Sequence, residues 1–357
     1  MNTPLKSLDF AGERFYVGLD VHKKSWAVTI RCHSQHLKTF SMNPSPEELH
    51  RYLHKQYPGG EFHSVYEAGF CGFWIHRRLE QLGIHNLVVH PPDVPSTHKE
   101  KSNKRDPVDS KKLARELEAG SLLGIYIPNE PHQHLRSLCR QRQQVVRKQT
   151  RVKNQIKSLL HFNGLAIPQP HEMSPWSGAF IKWLETLKFS HAAGQETMIG
   201  YVAELQSHRQ QVAEITKRLR RHSQDEKLFP VLKLLLSVPG IGFVIAMTLH
   251  TEIIAIGRFN RFDAFASFVG LVPSVSGSGE QEWDNGITSR SSSFMRYLLI
   301  EAAWVAIRED PALTLAFTEL CRRMKKQEAI VRIAKKLLRR IYSVWKNQKE
   351  YVFAVVA

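Results

Sequence analysis

Four carboxylates in the first third of the chain lie where strands are predicted to end or a helix to begin. Asp20 closes the strand-like run FYVGLD, and Glu67 closes the run FHSVYE. Asp106 and Asp109 open a predicted helix in KRDPVDSKK, where their spacing of three residues puts both on one helix face. Clustered carboxylates repel one another unless a divalent cation neutralises them, and oxygen ligands suit Mg²⁺. Two such ions about 4 Å apart can stabilise the attacking and leaving oxygens of a phosphodiester.

Each of these carboxylates also has a purely structural interpretation. Asp106 followed by Pro107 makes a good helix N-cap, and Asp109 suits the favourable end of a helix dipole. Asp20 could simply open a turn. The prediction of a metal site therefore depends on all four residues meeting at one edge of one sheet.

A serine between two glycines is the second candidate for chemistry. In LVPSVSGSGEQEWDNGITSR, Ser278 lies between Gly277 and Gly279, and neither neighbour has a Cβ that would keep a phosphate away. Ser276, two residues earlier, follows the β-branched Val275, which favours extended, packed backbone. A flexible turn is the better explanation of an isolated GSG, so composition alone does not make Ser278 a nucleophile.

The elements that must position the carboxylates follow the order βββ-α-β-α-β-α. They are three strands between residues 15 and 42, a helix at 46–57, a strand at 62–67, a helix at 74–82, a strand at 86–90 and a helix from 106. This order predicts a ribonuclease-H-like α/β domain, in which an antiparallel three-stranded start is extended by parallel strands. In such a sheet the first strand lies beside the later parallel strand and the last helix packs across both, so the four carboxylates would converge.

A long basic segment follows, with no Asp or Glu between Pro131 and His171. Its apolar residues recur at helical spacing, and a second long helical pattern runs from Glu196 to His222. The two patterns predict an antiparallel coiled-coil arm. A charge run is usually a solvated face, but eight cations without a compensating acid favour contact with phosphates. The residues assigned to that contact are Arg136, Arg140, Arg147, Lys148, Arg151 and Lys153.

The last third is predicted to be mostly helical. The run SVPGIG has the form of a helix-hairpin-helix turn, in which Gly240 and Gly242 would leave backbone N–H groups free to face a phosphate. A short helix, a Gly/Ser-rich stretch and three helical segments follow. The predicted domains are residues 1–128 with the carboxylates, 129–225 as the arm, and 226–357 with the serine.

The composition favours a polyanionic partner. The formal net charge is +17, and nucleic acid is the default partner for such an excess of Lys and Arg, although a merely basic protein is the simpler alternative. No apolar run approaches the roughly 20 residues of a membrane span, and the N-terminus lacks the apolar core of a signal peptide. The four cysteines form no CxxC pair, so we expect reduced, packing cysteines in a cytoplasmic protein, with no disulfide framework and no zinc site.

The ordered motifs resemble one known family over nearly the whole chain, from about Tyr16 to Trp345. GLDVHKKSW, YEAGFCGFW, NKRDPVDSKKLA, SVPGIGFVIA, FASFVGLVPSVSGSG and ITSRSSSFMRYLLIEAAW match in order the landmarks of the DEDD-motif insertion-sequence transposases, the bridge-RNA-guided serine recombinases. Two departures flank the serine motif: Glu280-Gln281-Glu282 stands where the family often has a basic residue, and Arg290-Ser291-Ser292-Ser293 where it often has a glycine with a polar neighbour.

This resemblance implies specific roles for the candidate residues. It implies a RuvC-like N-terminal domain whose four metal-binding carboxylates are Asp20, Glu67, Asp106 and Asp109, and a DNA-attacking serine at Ser278. It also implies a tetramer with active sites shared between protomers. Its partners would be donor and target DNA and a structured guide RNA, in a prokaryotic, nucleoid-associated setting.

The hypothesis is therefore a Mg²⁺-dependent DNA recombinase that forms a phosphoserine-linked intermediate. A first alternative is a junction nuclease that uses the carboxylates and water, for which Ser278 would be dispensable. A second is a non-enzymatic nucleic-acid-binding protein, for which carboxylate substitutions would change nothing. The carboxylate order D-E-D-D argues against an ordinary D-D-E transposase, and nothing supports a resolvase-type recombinase with its serine near the N-terminus.

Overall fold

The computed structural model describes residues 9–95, 106–226, 228–278, 281–287 and 292–353, with the backbone alone at 106–107, 273–278 and 281–287. The chain forms two compact units, Met1–Ile127 and Pro128–Ala357. The division into three domains stays a prediction. No helix in the described part of the chain is both long and apolar enough to cross a membrane.

The first unit is built on a five-stranded mixed sheet. Its strands are β1 (Arg14–Val21), β2 (Trp26–Cys32), β3 (Gln35–Met42), β4 (Glu61–Glu67) and β5 (His85–Val89). Their order across the sheet is β3-β2-β1-β4-β5, with β1 to β3 antiparallel and with β4 and β5 parallel to β1. The predicted antiparallel start, its parallel extension and the place of the first strand beside the later parallel one are confirmed.

Three helices pack on this sheet, namely α1 (Pro46–Gln56), α2 (Trp74–Gln81) and α3 (Asp106–Glu118). The start of α1 is set by Ser45, whose hydroxyl accepts a hydrogen bond from the Glu48 N–H, and by Pro46 in the first turn. On one face of the sheet, Leu49 and Leu53 of α1 and Ile75 and Leu79 of α2 are fully buried among strand residues. Helix α3 lies across β1, β2 and β4.

Helix α3 approaches β1 more closely than any side chain would permit. A Cβ placed on Gly18 would lie 2.1 Å from the Ser110 backbone oxygen and 2.5 Å from the Ala114 backbone nitrogen. The glycine in VGLD is therefore required for the backbone of the helix to rest directly on the strand.

Two long helices open the second unit. They are α4 (Glu130–Phe162) and α6 (Ala192–His222), with the short α5 (Gly178–Thr186) between them. They run antiparallel, because Ile156 and Leu160 near the end of α4 pack with Met198 near the start of α6, while Cys139 shares a cluster with Leu219. A 33-residue helix is about 50 Å long. The coiled-coil character of this pair stays a prediction.

The rest of the second unit surrounds one large apolar core. Its helices are α7 (Phe229–Leu236), α8 (Phe243–Ile253), α9 (Phe262–Val269), α10 (Ser293–Glu309), α11 (Pro311–Cys321) and α12 (Lys326–Asn347). The core draws on α7 to α12 and on the first half of α4. The Gly/Ser-rich stretch contains two strands, β6 (Pro273–Ser278) and β7 (Gln281–Ile287), which pair antiparallel and which were not predicted from the sequence.

Candidate metal site and nucleic-acid surfaces

Asp20 and Glu67 lie at the same edge of the sheet. The parallel register of β1 and β4 ends at the pair Leu19 and Tyr66, so these carboxylates are the next residue on each strand. Both are half-buried, and the Asp20 carboxylate contacts the His22 imidazole at 3.2 Å between Oδ2 and Nε2. The predicted placement of two acids at the carboxyl ends of neighbouring parallel strands is confirmed.

Helix α3 runs antiparallel to β1, and this direction brings the other two acids to that edge. Its last residue, Glu118, accepts a 2.6 Å hydrogen bond from Arg31 Nε, and Arg31 pairs with Tyr16 near the start of β1. One to two turns after its start, Ser110 is hydrogen-bonded at 2.9 Å to Thr29, the partner of Gly18.

The first turn of α3 therefore continues past Gly18 toward Asp20. Four residues of helix, from Asp106 to Ser110, rise about 6 Å, close to the roughly 7 Å that separate Gly18 from Asp20 along a strand. Asp106 is the first residue of the helix and Asp109 the fourth, so both positions share its sheet-facing stripe with the buried Ser110 and Leu113. The topology thus places all four predicted positions at one edge of one sheet.

The chemistry of this donor set fits a hard divalent cation, because all four ligands would be carboxylate oxygens. The oxygens of Asp20, Glu67 and Asp109 do not all lie within 4.8 Å of one another in the described part of the chain, and the Asp106 side chain lies outside it. The fold therefore brings the strand ends and the helix start together. Binding of one metal ion would require the side chains to change rotamer so that their oxygens come closer.

A different trio of metal-capable atoms lies near the opposite end of β1. Among the described residues, Glu13, Cys32 and His33 bring one ligand atom each within 4.8 Å of one another. Their contacts are explained without a metal, since His33 and Glu13 form an ion pair. Burial, helped by the nearby Glu13 and Glu118 carboxylates, raises the pKa of the Cys32 thiol, which keeps it protonated. All four cysteines of the chain are free.

The base of the arm holds two of its predicted phosphate-binding cations in internal contacts. Arg140 donates to both carboxylate oxygens of Glu252 on α8, at 2.7 and 2.8 Å. Arg136 donates to the Thr251 carbonyl at 2.9 Å and lies 3.7 Å from the same carboxylate. Hydrogen bonding to Glu252 raises the pKa of Arg140, whereas burial lowers that of Arg136. These two arginines anchor α4 to α8, because both contact Glu252. The basic segment has no acid of its own, and its counter-charge is supplied by this residue 112 positions after Arg140.

The middle of the arm keeps the predicted surface. Arg147, Lys148 and Arg151 are exposed on α4. Lys153 is half-buried, with its ammonium 5.4 Å from the centre of the Trp176 ring, and burial lowers its pKa. The assignment to phosphates therefore stays a prediction, and it is best supported for the three exposed cations.

The SVPGIG turn differs from the predicted phosphate site. Gly240 has φ +77, and its N–H donates to the Glu309 carboxylate at 2.9 Å, so this amide is not free for a phosphate. A Cβ at Gly240 would also lie 2.3 Å from the Ala302 carbonyl oxygen, which shows that this glycine serves close packing against α10. Gly242 caps α8 and has open space on its Cβ side, so it retains the geometry required for the prediction.

Glu252 and Glu309 are the contacts that reasoning from the sequence missed. Glu252 is the only acid in the apolar segment from Phe243 to Ile253, which is a signal of a paired, buried charge. Glu309 has no comparable local signal, because it meets the glycine turn only through the packing of α10.

Ser278 is the last residue of β6, where its backbone pairs with Gln281. Ser276 lies two residues earlier in the same strand and pairs with Trp283. Both serines therefore lie in β6, and the choice between them stays a prediction based on the flanking glycines.

Two transposase family models match the chain, one after the other. A DEDD transposase model of the IS110 type, described as "Transposase", matches residues 17–163. A second model, described as "Transposase IS116/IS110/IS902 family", matches residues 232–318. The first match contains the four carboxylates, and the second contains the glycine turn and both serines.

Similar proteins come from several bacteria. Putative transposase y4qE of Sinorhizobium fredii is 30% identical over 67% of this chain, and the chain covers 57% of that relative's length. Putative transposase y4rJ of the same organism is 28% identical over 79% of this chain and 76% of its own length. The transposase of insertion sequence element IS1111A from Coxiella burnetii is 25% identical over 80% of this chain and 78% of its own. Because two transposase models match in order and the relatives match across both regions, the chain belongs to the IS110 family of insertion-sequence transposases.

Proposed function

We propose that this chain cuts and rejoins DNA to move an insertion sequence, with Asp20, Glu67, Asp106 and Asp109 as ligands of Mg²⁺ and Ser278 as the nucleophile. The observation that carries the proposal is the antiparallel course of α3, whose start leads to the sheet edge of Asp20 and Glu67. The family matches cover both the carboxylates and the serines, which supports a role for each region in the proposed reaction.

The carboxylates would hold the cation, and bound Mg²⁺ would neutralise their mutual repulsion and stabilise charge on the transferring phosphoryl group. Ser278 would attack phosphorus, so that its oxygen replaces one DNA oxygen, which leaves with a proton as a free hydroxyl. Attack by a hydroxyl from another DNA strand would reverse the step and release the serine. Because a free serine hydroxyl is a poor nucleophile near neutral pH, a base or cation must activate it.

The partners follow from the charge and the family resemblance. The exposed cations of the arm and the net charge of +17 support binding of nucleic acid. A guide RNA and a tetramer with shared active sites complete the proposal, on the strength of the resemblance alone.

The decisive experiment is denaturing electrophoresis of labelled DNA trapped on the protein, with mass spectrometry of the linked peptide. We expect Ser278→Ala to lose both the adduct and strand exchange, while the matched Ser276→Ala keeps the adduct. A linkage at Ser276 would move the nucleophile by two residues. Cleavage without an adduct in any variant would favour the metal-only nuclease.

The metal ligands are tested by replacing Asp106 and Asp109 together with Asn. The double variant should keep its circular dichroism and lose recombination, because the charge that holds the cation is gone. Full activity of the double variant would refute the metal site.

A further inference from the structure

We propose that Phe70 and Trp74, with Lys23, form a stacking platform for an unpaired nucleotide of the DNA strand whose phosphate lies at the carboxylate edge. The inference rests on the proposed function, because it places that strand at Asp20 and Glu67. It adds a binding site for a base, where the carboxylates would bind only a phosphate through metal.

The platform begins three residues after Glu67, in the loop between β4 and α2. Three residues span at most about 10 Å, a distance comparable to that of two or three stacked nucleotides at about 3.4 Å each. The ammonium of Lys23, from the turn that follows Asp20, lies 5.8 Å from the centre of the Phe70 ring. The two loops that leave the carboxylate edge therefore meet at this ring.

Both aromatic side chains are exposed although they are large and apolar. Phe70 is 62% exposed and Trp74, in the first turn of α2, is 51% exposed. Single exposed apolar residues are common on protein surfaces. Two aromatic rings and a lysine beside the candidate active site are the groups by which proteins bind single-stranded nucleic acids. An aromatic ring stacks on a base, and a cation binds the phosphate backbone.

The loop that carries Phe70 is held in place from below. The buried Tyr66 hydroxyl donates to the Gly72 carbonyl at 2.9 Å and accepts from the His76 N–H at 3.3 Å. The Ala68 N–H donates to the Val89 carbonyl at 2.7 Å. Burial raises the pKa of Tyr66, so its hydroxyl stays protonated and able to donate. Phe70 is thus presented by an anchored loop and Trp74 by the first turn of α2, which lowers the conformational cost of binding a base.

The occupant is an unpaired nucleotide and not duplex DNA, because the faces of paired bases are already covered by their neighbours. Strand cleavage and exchange generate such nucleotides next to the reacting phosphate. Lys23 and Lys24 are both exposed and supply charge that complements the DNA backbone. Stacking tolerates any base, so the platform would serve different donor and target sequences.

The test compares two DNA probes that differ only in an unpaired tail carrying 2-aminopurine. Binding is measured by fluorescence anisotropy on full-length protein in the background of Ser278→Ala, which removes the proposed nucleophile and leaves all four carboxylates in place. Phe70→Ala should weaken binding to the tailed DNA about tenfold, with little change on the blunt duplex. It should also abolish the quenching of 2-aminopurine fluorescence. Phe70→Trp should restore both signals.

The matched control is Leu37→Ala, which removes a 40% exposed apolar side chain from β3 and should change neither affinity. Equal weakening on both probes, or unchanged quenching in Phe70→Ala, would overturn the proposal. A fall in assembly mass in Phe70→Ala and Trp74→Ala with quenching retained would overturn it too, and would make this face a contact between copies of the chain. If the Asp106 and Asp109 variant keeps its activity while the wild-type protein quenches 2-aminopurine, only the proposed function is refuted. If that variant is inactive but Phe70→Ala still quenches 2-aminopurine, only the platform is refuted.

Discussion

Replacing Gly18 with Ala should separate α3 from the sheet and so displace two of the four carboxylates. The new Cβ would lie 2.1 Å from the Ser110 carbonyl oxygen, whereas ordinary contact begins at 3.4 Å, so the helix must move by about 1.3 Å. Both obstructing atoms, on Ser110 and Ala114, belong to the backbone, so no side chain can rotate to make room. Overpacking of this kind costs about 1–3 kcal/mol. Because Asp106 and Asp109 move with the helix, a displacement near 1 Å should lower activity about a hundredfold.

The assay measures the melting temperature and formation of the covalent DNA adduct on the same preparations. The Tm should fall by about 5–10 °C, and adduct formation at 20 °C below that Tm should stay strongly reduced. The matched control is Gly200→Ala, where the added Cβ meets nothing within 4 Å and helix propensity improves by up to about 1 kcal/mol. A wild-type Tm in Gly18→Ala would refute the close packing of α3. A lowered Tm with normal adduct formation would show that α3 does not position the catalytic groups.

Three further predictions test the second unit. Replacing Arg147, Lys148 and Arg151 with Gln should flatten the dependence of log affinity on log salt by roughly one unit per lost phosphate contact, and an unchanged slope would mean that the arm is only a solvated face. Replacing Glu252 with Gln should lower the free energy of unfolding, measured in urea, by about 1–3 kcal/mol, because Arg136 and Arg140 lose the carboxylate that they contact. An unchanged free energy of unfolding would contradict the anchoring role. Burial lowers the pKa of His250 to about 4 from 6.5, so the unfolded chain takes up its proton first, and stability should fall by up to about 3 kcal/mol as the pH drops from 6.5 to 4. Urea titrations of His250→Gln should show a smaller fall over that interval, and an equal fall would refute the assignment.

The sequence predicts the sheet well because its signals are local. The alternation in β1, β2 and β4 and the polar turns between them predict each strand, and the order of elements predicts the pairing of β1 with β4. Gly18 was the missed local signal, since a glycine two residues before Asp20 marks the close approach of a helix that holds the remaining carboxylates.

The surface chemistry was harder to predict, because its partners are distant in the sequence. Arg140 has no acid within its own segment, yet Glu252 from α8 binds it with two hydrogen bonds. Gly240 likewise gives its N–H to Glu309, 69 residues away. A run of cations or a glycine turn therefore indicates groups that can bind an anion. Whether those groups are free for a phosphate depends on the packing of other helices, which can bring a carboxylate of the protein to them.

This distinction limits how much of the +17 charge can serve the arm's contact with DNA. Along α4 the cations divide into three zones. Arg136, Arg140 and Arg142 hydrogen-bond to protein groups at the base, Arg147, Lys148 and Arg151 are exposed in the middle, and the half-buried Lys153 and the exposed Lys157 lie near the Trp176 ring. The middle zone, from Arg147 to Arg151, extends about 6 Å along the helix axis. One DNA strand presents a phosphate about every 3.4 Å of its axis, so this zone can engage about two phosphates per chain. A salt dependence much steeper than two units per chain must therefore involve cations outside this zone, and the next ones to test are the exposed Lys157 on the same helix and the exposed Lys23 and Lys24 beside the carboxylate edge.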